Sequence, residues 1–241
     1  MNTPAIAVIQ SVPPRSPPVV LLKRRGDRPA AREWAETLSS ALDAELVQLE
    51  FTGLPEGAGS PGGAWGGRTS ALARRLRRFG PRVVVMAAGC GWPAESAGWL
   101  ASAARAPCLV ARASRGRRPV LAATSLEDPC HPVVLEACSL ATALDRPLTI
   151  VHNDLAQIAG ADRGVHLEAE RRLARLADEL GADAVLTRSV DVASGILTEA
   201  RREDADLIVV GASGSPPDSG PAGAVITQMA RRSVLVVPPS A

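Results

Sequence analysis

Short apolar runs alternate with amphipathic segments along almost the whole chain. The apolar runs predict strands at 19–22, 46–49, 83–86, 108–111, 120–123, 148–151, 184–186, 207–210 and 234–237. The segments between them predict helices at 30–42, 69–79, 132–144, 166–180, 196–202 and 224–230, with a further short helix through Trp99. In 166–180, for example, Leu167, Leu173, Leu176 and Leu180 share one face. Strands that are apolar on both faces and alternate with helices predict a parallel sheet covered on both sides.

The two halves of the chain follow the same order of features. Gly89 lies 125 residues before Gly214 (214 − 89), and Gly98 lies the same distance before Gly223 (223 − 98). The first strands, at 19 and 120, give a shorter offset of 101 (120 − 19). The first half therefore lacks about two dozen residues, which predicts one lost helix–strand unit. The Gly-rich segment 57–67 stands at that place.

Composition narrows the class of protein. A length of 241 residues allows one large domain or two small ones. A net charge of +2 and an aromatic content of 2% argue against a nucleic-acid partner, which needs a basic surface or stacking rings. The sequence contains no uninterrupted run of about 18 apolar residues, so no membrane-spanning helix is predicted. Four cysteines without a CxxC pair predict a cytoplasmic protein with reduced thiols, and the arginine-rich, nearly lysine-free composition indicates a GC-rich bacterial genome.

Several segments of the second half resemble the universal stress protein family. They are Asp206 to Gly214 (DLIVVGASG), Gly223 to Val225, Val234 to Pro238, and the strand at 120–124 that leads into a helix. The segment 106–110 of the first half is similar to the last-strand signature of the same family. The resemblance divides the chain into an N-terminal extension (1–17), a degenerate first domain (18–114) and a complete second domain (118–241).

This resemblance implies two doubly wound, Rossmann-like α/β domains, the first of them abbreviated. It implies that the last strands, 108–111 and 234–237, pair with each other and form a pseudo-dimer within one chain; a homodimer of whole chains stays open. The implied role is that of a non-catalytic binding or regulatory protein in a stress response. We expect no catalytic residue and no metal ligand.

The ATP-binding members of the family place the nucleotide beyond the carboxyl ends of the first and fourth strands. There, glycines let backbone amides approach phosphates, and helix N-termini add partial positive charge. The resemblance implies an adenine nucleotide, ATP or AMP, as the ligand. Carried onto this sequence, the implied ligand-binding residues are Ala123, Thr124, Ser125, Val151, His152, Gly211, Gly214, Gly223 and Ala224.

The sequence departs from the family pattern at several of these positions. Ser125 stands where the binding members have an aspartate, and Ala224 stands where they have a hydroxyl residue. Eight residues, instead of nine, separate Gly214 from Gly223, and they include two prolines and an acid, Pro216, Pro217 and Asp218. Each lost hydrogen bond costs about 1 kcal/mol, so we expect weak binding.

Other combinations of residues favour ordinary structural roles. Ser125, Asp128 and His131 are crowded into one short loop, which favours a polar cap of the next helix over a catalytic triad. Cys130 and Cys138 lack the close spacing of zinc ligands and are interpreted as buried free thiols. The arginines of 74–78 favour a solvated helix face. Two alternatives stay open: a nucleotide-transforming enzyme, and a pocketless interaction module that docks through the Gly-rich segment and the first domain.

Overall fold

The computed structural model describes residues 16–23, 29–50, 66–89, 96–114, 116–128, 130–154, 163–212 and 221–239. The first half contains β1 (Val19–Lys23), α1 (Pro29–Ala41), β2 (Leu46–Glu50), α2 (Gly66–Phe79), β3 (Val83–Ala87), α3 (Ser96–Ala104) and β4 (Cys108–Ala111). The second half contains β5 (Val120–Thr124), α4 (Pro132–Ala143), β6 (Leu148–Asn153), α5 (Arg163–Leu180), β7 (Asp183–Thr187), α6 (Val192–Arg202), β8 (Leu207–Gly211), α7 (Pro221–Met229) and β9 (Ser233–Val237).

All of these strands form one nine-stranded sheet in the order β2-β1-β3-β4-β9-β8-β5-β6-β7. Neighbouring strands are parallel everywhere except at the centre, where β4 and β9 are antiparallel. The expected pairing of the last strands of the two halves is therefore present, and it merges two parallel sheets into one.

The register of β4 and β9 has the symmetry of a pseudo-two-fold axis. Leu109 pairs with Leu235, and Val110 pairs with Val234. At the offset of 125 residues, Leu109 corresponds to Val234 (234 − 109) and Val110 to Leu235 (235 − 110). Exchanging the halves therefore converts each of these two pairs into the other, as a two-fold axis between them requires.

Helices cover both faces of the sheet, as the apolar strands predict. One face packs against α1, α4 and α5, and the other packs against α2, α3, α6 and α7. Because α1 and α2 lie on opposite faces, the chain crosses from one face of the sheet to the other after β2. The described residues of the first half contain no counterpart of α5 and β7, which precede this change in the second half. The predicted fold class, two doubly wound units with the first abbreviated, is confirmed. The boundaries at 18–114 and 118–241 stay a prediction.

The element boundaries differ from the sequence prediction where capping, not hydrophobicity, sets them. The segment 196–202 was predicted to lie in a helix, and it does; the helix begins at Val192, because the Asp191 side chain accepts from the amides of Ala193 and Ser194. The Ser194 hydroxyl is the main reason why the pKa of Asp191 lies below its usual value. The segments 1–15 and 57–65 lie outside the described residues.

Two expectations about burial are corrected. Leu167, assigned to the apolar face of α5, is 45% exposed; the buried side chains described for this helix, such as Leu173 and Leu176, lie in its later turns. Of the cysteines interpreted as buried, Cys130 is exposed and Cys138 is only half-buried. Cys130 precedes the first turn of α4 and therefore does not share the buried face of that helix. None of the helices that the structure describes is long and apolar enough to cross a membrane.

A buried polar cluster joins the two halves. Asp206 is 1% exposed and accepts from Arg146 Nη1 at 3.2 Å and from Ser114 Oγ at 2.5 Å. The guanidinium of Arg146 stacks over the ring of Trp34, 5.1 Å from its centroid, and the indole Nε1 donates to the carbonyl of Arg112 at 2.9 Å. Helix α1, the segment after β4 and the start of β8 are thus held together by one set of contacts.

A second set of contacts fastens the segment after β4 to the end of α7. The Arg112 guanidinium donates to the carbonyls of Thr227 at 2.7 Å and Arg232 at 3.0 Å, and burial lowers its pKa. Elsewhere on the interface, Arg82 Nη1 donates to both carboxylate oxygens of Glu136 at 2.7 and 2.9 Å. The halves therefore form one body through hydrogen bonds as well as through the shared sheet.

We predict that Asp206→Ala lowers the free energy of unfolding by about 3–5 kcal/mol, because it leaves the guanidinium of Arg146 buried without its counter-ion. The matched control is Glu36→Ala, which breaks an ion pair with Arg32 that is more than half exposed on both sides and is worth less than about 1 kcal/mol. Urea denaturation followed by circular dichroism measures both. Equal losses in the two variants would contradict the role of the buried pair.

Candidate functional site

A crevice forms at the carboxyl ends of β5 and β8, which are parallel neighbours with Val120 opposite Leu207. The chain leaves β5 towards α4 on one face of the sheet and leaves β8 towards α7 on the other face. Where adjacent parallel strands send their connections to opposite faces, an open α/β sheet has its characteristic ligand site. The geometric expectation from the sequence is met here.

Two glycines bring both helices close to the end of β8. A Cβ atom at Gly223, in the first turn of α7, would lie 3.1 Å from the carbonyl oxygen of Gly211. A Cβ atom at Gly211 would lie 3.4 Å from Cγ2 of Val133, in the first turn of α4. The crevice therefore has a backbone-lined floor, and any side chain at Gly223 would push α7 away from the strand.

The N-terminus of α4 carries unsatisfied polar groups at this crevice. His131 precedes the helix with a left-handed backbone (φ 44°) and provides no side-chain cap, while Pro132 has no N–H. Within the described residues, Nδ1 of His131 is buried without a hydrogen-bond partner. Neither α4 nor α7 has an acidic residue in its first turn. Both helix ends therefore keep their partial positive charge, which favours an anion.

The end of β5 orients His152 on the neighbouring strand β6. The ring nitrogen Nδ1 of His152 lies 2.8 Å from the carbonyl oxygen of Thr124. Because a carbonyl only accepts, Nδ1 carries the hydrogen, and the neutral ring then offers Nε2 as an acceptor. The hydroxyl of Thr124 accepts from the amide of Leu126 at 3.1 Å and fixes the turn after the strand.

The polar loop between β5 and α4 is bonded within itself. Ser125 Oγ accepts from the amide of Glu127 at 3.3 Å, and Asp128 Oδ1 accepts from the amide of Cys130 at 2.9 Å. These are the local turns that short polar side chains commonly form. These turns argue against a catalytic triad, but the expected polar cap of α4 is not formed, since His131 at the N-cap position provides no side-chain hydrogen bond.

Most of the predicted site residues that the structure describes do come together. Ala123, Thr124, His152 and Ala224 are half-buried at the crevice, whereas Ser125 and Gly211 are exposed. Val151 is fully buried and in register with Ala123, so its side chain lies in the core beneath the crevice and not in it. Gly214 lies outside the described residues, as do Pro216, Pro217 and Asp218.

Sequence reasoning missed the contribution of α4, whose first turn holds His131 and Val133. The signal was present in Pro132, which favours the first position of a helix and removes one N–H donor there. The left-handed backbone of His131 gave no such signal, because histidine adopts it only where tertiary contacts impose it.

A network of side-chain hydrogen bonds connects the ends of β6 and β7 beside the site. Asn153 Oδ1 accepts from the Thr187 hydroxyl and the Ser189 amide, both at 2.9 Å, and Asn153 Nδ2 donates to the Ser189 carbonyl at 2.9 Å. A Cβ atom at Gly195 would lie 2.9 Å from Asn153 Oδ1. The start of α6 is therefore packed tightly on β6, and we assign this hydrogen-bond network a structural role.

Reactive chemistry finds little support among the described residues. Burial raises the pKa of the Cys108 thiol to about 12, and its Sγ lies 3.7 Å from Sδ of Met86, so it is a core residue. No group of three or more His, Cys, Asp or Glu side chains within the described ranges is arranged to hold a metal ion.

The sequence profile of the universal stress protein family matches residues 116–238. The chain belongs to the universal stress protein family. This match covers the whole of the second half, including every described element around the crevice. No curated protein sequence matches the chain significantly.

Solved structures share the fold over both halves. A candidate universal stress protein from Pseudomonas aeruginosa UCBPP-PA14 is 14% identical with a TM-score of 0.62, covering 92% of this chain and 83% of its own. A functionally unknown protein from Pseudomonas aeruginosa PAO1 is 16% identical with a TM-score of 0.59, covering 91% and 81%. A universal stress protein from Archaeoglobus fulgidus DSM 4304 is 11% identical with a TM-score of 0.53, covering 92% and 96%. At these identities the likeness shows the fold alone.

We predict that Gly223→Ala destabilises this universal stress protein by about 1–3 kcal/mol, because the added methyl group forces α7 away from the Gly211 carbonyl. The matched control is Gly98→Ala at the corresponding position of α3, where an added Cβ meets nothing within 4 Å. The control should be neutral or stabilising by up to about 1 kcal/mol, since alanine is the better helix former. Urea midpoints that fall equally in both variants would contradict the close approach.

Proposed function

We propose that this protein is a cytoplasmic, non-catalytic regulatory module of a stress response, and that it binds an adenine nucleotide weakly at the crevice between β5 and β8. The observation that carries the proposal is the approach of two glycine backbones, at Gly211 and Gly223, beside the N-termini of α4 and α7. The N-cap residue of α4 provides no side-chain hydrogen bond, and neither helix has an acid in its first turn. Backbone donors at the ends of helices bind anionic groups such as phosphate.

The crevice offers different chemistry at its two sides. The phosphate would lie against Gly211, Gly223 and the first turn of α4, where the structure provides backbone donors and no acidic side chain in the first turns. The nucleoside would lie against Thr124 and His152, whose Nε2 accepts a hydrogen bond from an exocyclic amino group when the ring is neutral. An adenine nucleotide presents both of these groups.

The residues present fit a monophosphate better than a triphosphate. Ala224 provides no hydroxyl for a second or third phosphate, and the loop before α7 contains an acid and two prolines in its sequence. Ser125 provides a neutral oxygen where a carboxylate would make a stronger, charge-assisted bond to the ribose. We therefore expect AMP to bind at least as tightly as ATP, with both affinities near the millimolar range.

The absence of catalysis is part of the proposal. Ser125 and Asp128 hold their own loop, and burial keeps Cys108 in its thiol form. Of the described side chains at the crevice, none forms a pair of a nucleophile and a general base. A binding protein needs only the backbone groups at Gly211 and Gly223 that line the crevice.

The proposal is tested by isothermal titration of the full chain with AMP, ADP and ATP. We expect saturable AMP binding that Gly211→Asp weakens at least tenfold, because a carboxylate then occupies the anion position. Gly98→Asp in the first half is the charge-matched control and should leave the affinity within about twofold.

Two results would contradict this proposal. One is the absence of binding of any of the three nucleotides at several millimolar in the folded wild-type protein. The other is steady release of phosphate from ATP that survives Gly211→Asp, which would point to an enzyme with a site elsewhere.

A further inference from the structure

Among the described residues, the outer edge of β2 has no neighbouring strand, whereas the corresponding edge is covered in the second half. β6 has β7 as its outer neighbour, with Ile150 opposite Ala184. β2 takes the place of β6 in the first half, and it is the last strand of the sheet on that side among the described residues. The second half thus shows what this position of the fold accepts: one more parallel strand.

The hydrogen-bonding groups on the open edge can be identified. The amide of Val19 donates to the carbonyl of Glu45 at 2.9 Å, so Glu45 faces β1. In a parallel ladder, both polar groups of a residue point to the same neighbour, and alternate residues face opposite sides. Hence Val47 and Leu49 also face β1, whereas Leu46, Gln48 and Glu50 direct their N–H and C=O groups outwards.

Helix α2 places a cluster of arginines beside this edge. Leu72 and Leu76 of α2 pack in the same core as Leu49 of β2. The helix in the corresponding place of the second half, α6, contacts both β6 and β7. As the counterpart of α6, α2 covers the same face of the sheet, packed against α3 and sharing its core with Leu49 of β2.

Most of these arginines have no partner within the part of the chain that the structure describes. Arg74, Arg77 and Arg78 are exposed and Arg75 is half-buried. Among the described residues, only Arg77 makes a contact, with the carbonyl of Ala103. Neither α2 nor the adjacent α3 contains an acidic residue, and the nearby Glu50 is paired with Lys23 at 3.9 Å. We call Arg74, Arg75, Arg77 and Arg78 the arginine face.

We propose that the edge of β2 and the arginine face form a docking surface for an acidic, extended peptide segment of a partner protein. The peptide backbone pairs with the outward groups of β2, in the place that β7 takes in the second half. Its carboxylates reach the unpaired guanidinium groups of α2. In this mode of recognition, main-chain hydrogen bonds provide the affinity and complementary charges provide the specificity.

The chemistry of the surface favours a peptide over a nucleic acid. Only a polypeptide backbone satisfies the row of donors and acceptors along a strand edge. The net charge of +2 and the aromatic content of 2% provide neither the electrostatic attraction nor the stacking that nucleic acids require. The opposite edge of the sheet, β7, begins with Asp183, and the preceding turn of α5 carries Asp178 and Glu179, so it repels an acidic strand.

The test uses the full-length protein and a fluorescein-labelled peptide of alternating glutamate and valine, followed by fluorescence anisotropy. The control peptide has glutamine in place of glutamate. We expect saturable binding of the acidic peptide, weakened by added salt, and at least about tenfold weaker binding of the control peptide.

Matched variants separate the two parts of the surface. Arg74→Glu with Arg78→Glu should weaken binding at least about tenfold, whereas Arg171→Glu with Arg175→Glu on the exposed face of α5 should change it less than twofold. Gln48→Pro removes one outward N–H without touching the ladder to β1 and should weaken binding by a similar factor. Ala184→Pro makes the same change on the edge of β7, where Thr187 faces β6, and should have no effect on binding.

Each remaining outcome overturns the proposal. Binding that is insensitive to Gln48→Pro, in a protein with an unchanged urea midpoint, would show that the edge is not used. A single-stranded oligonucleotide that binds through Arg74 and Arg78 while the peptide does not would assign the surface to nucleic acid. Concentration-dependent dimers abolished by Gln48→Pro, without peptide binding, would make the edge an interface between copies.

Discussion

The antiparallel pairing of β4 with β9 is the contact on which the rest of the structure depends. Every residue of both strands is buried, and without the pairing each strand would have an edge of unpaired backbone N–H and C=O groups. Pairing them satisfies both edges at once and, among the described strands, leaves β2 and β7 as the outer strands of the nine-stranded sheet. The polar cluster around Asp206 and Arg112 then fixes the angle between the halves. A binding site in one half and an open edge in the other are consequences of this shared body.

Much of the fold followed from local patterns, because most strands are short, largely apolar runs and most helices have a buried stripe. The offset between Gly89 and Gly214 also located the missing helix–strand unit. The sequence alone did not indicate the contact of Trp34 with Arg146, because those residues are far apart in the chain and neither belongs to a motif. The start of α6 was not predicted for another reason: it is set by the cap at Asp191. Local periodicity does not register such a cap.

At the crevice, too, the sequence pattern indicated some of the residues, and tertiary packing determined the roles of the others. Gly211 and Gly223 were assigned from the resemblance to the family pattern. In the structure, a Cβ atom at Gly223 would lie 3.1 Å from the Gly211 carbonyl oxygen. Val151 was assigned to the ligand, but its full burial places its side chain in the core. The role of His131 depends on a left-handed backbone and a buried ring nitrogen, and neither property can be predicted from the residue type. In the first half, Gly98 has no comparable neighbour, which is why we assign the nucleotide to the second half alone.

The central claim is that one sheet holds two unequal halves, of which only the second binds an anion at its strand ends. Amide chemical shifts of the isotope-labelled protein, recorded during titration with AMP, test it most directly. The account predicts that the largest shifts cluster at Thr124, His152, Gly211 and Gly223, with the equivalent region around Lys23 and Ala87 unchanged. Shifts of equal size at both places, or shifts centred on Lys23 and Ala87, would contradict it.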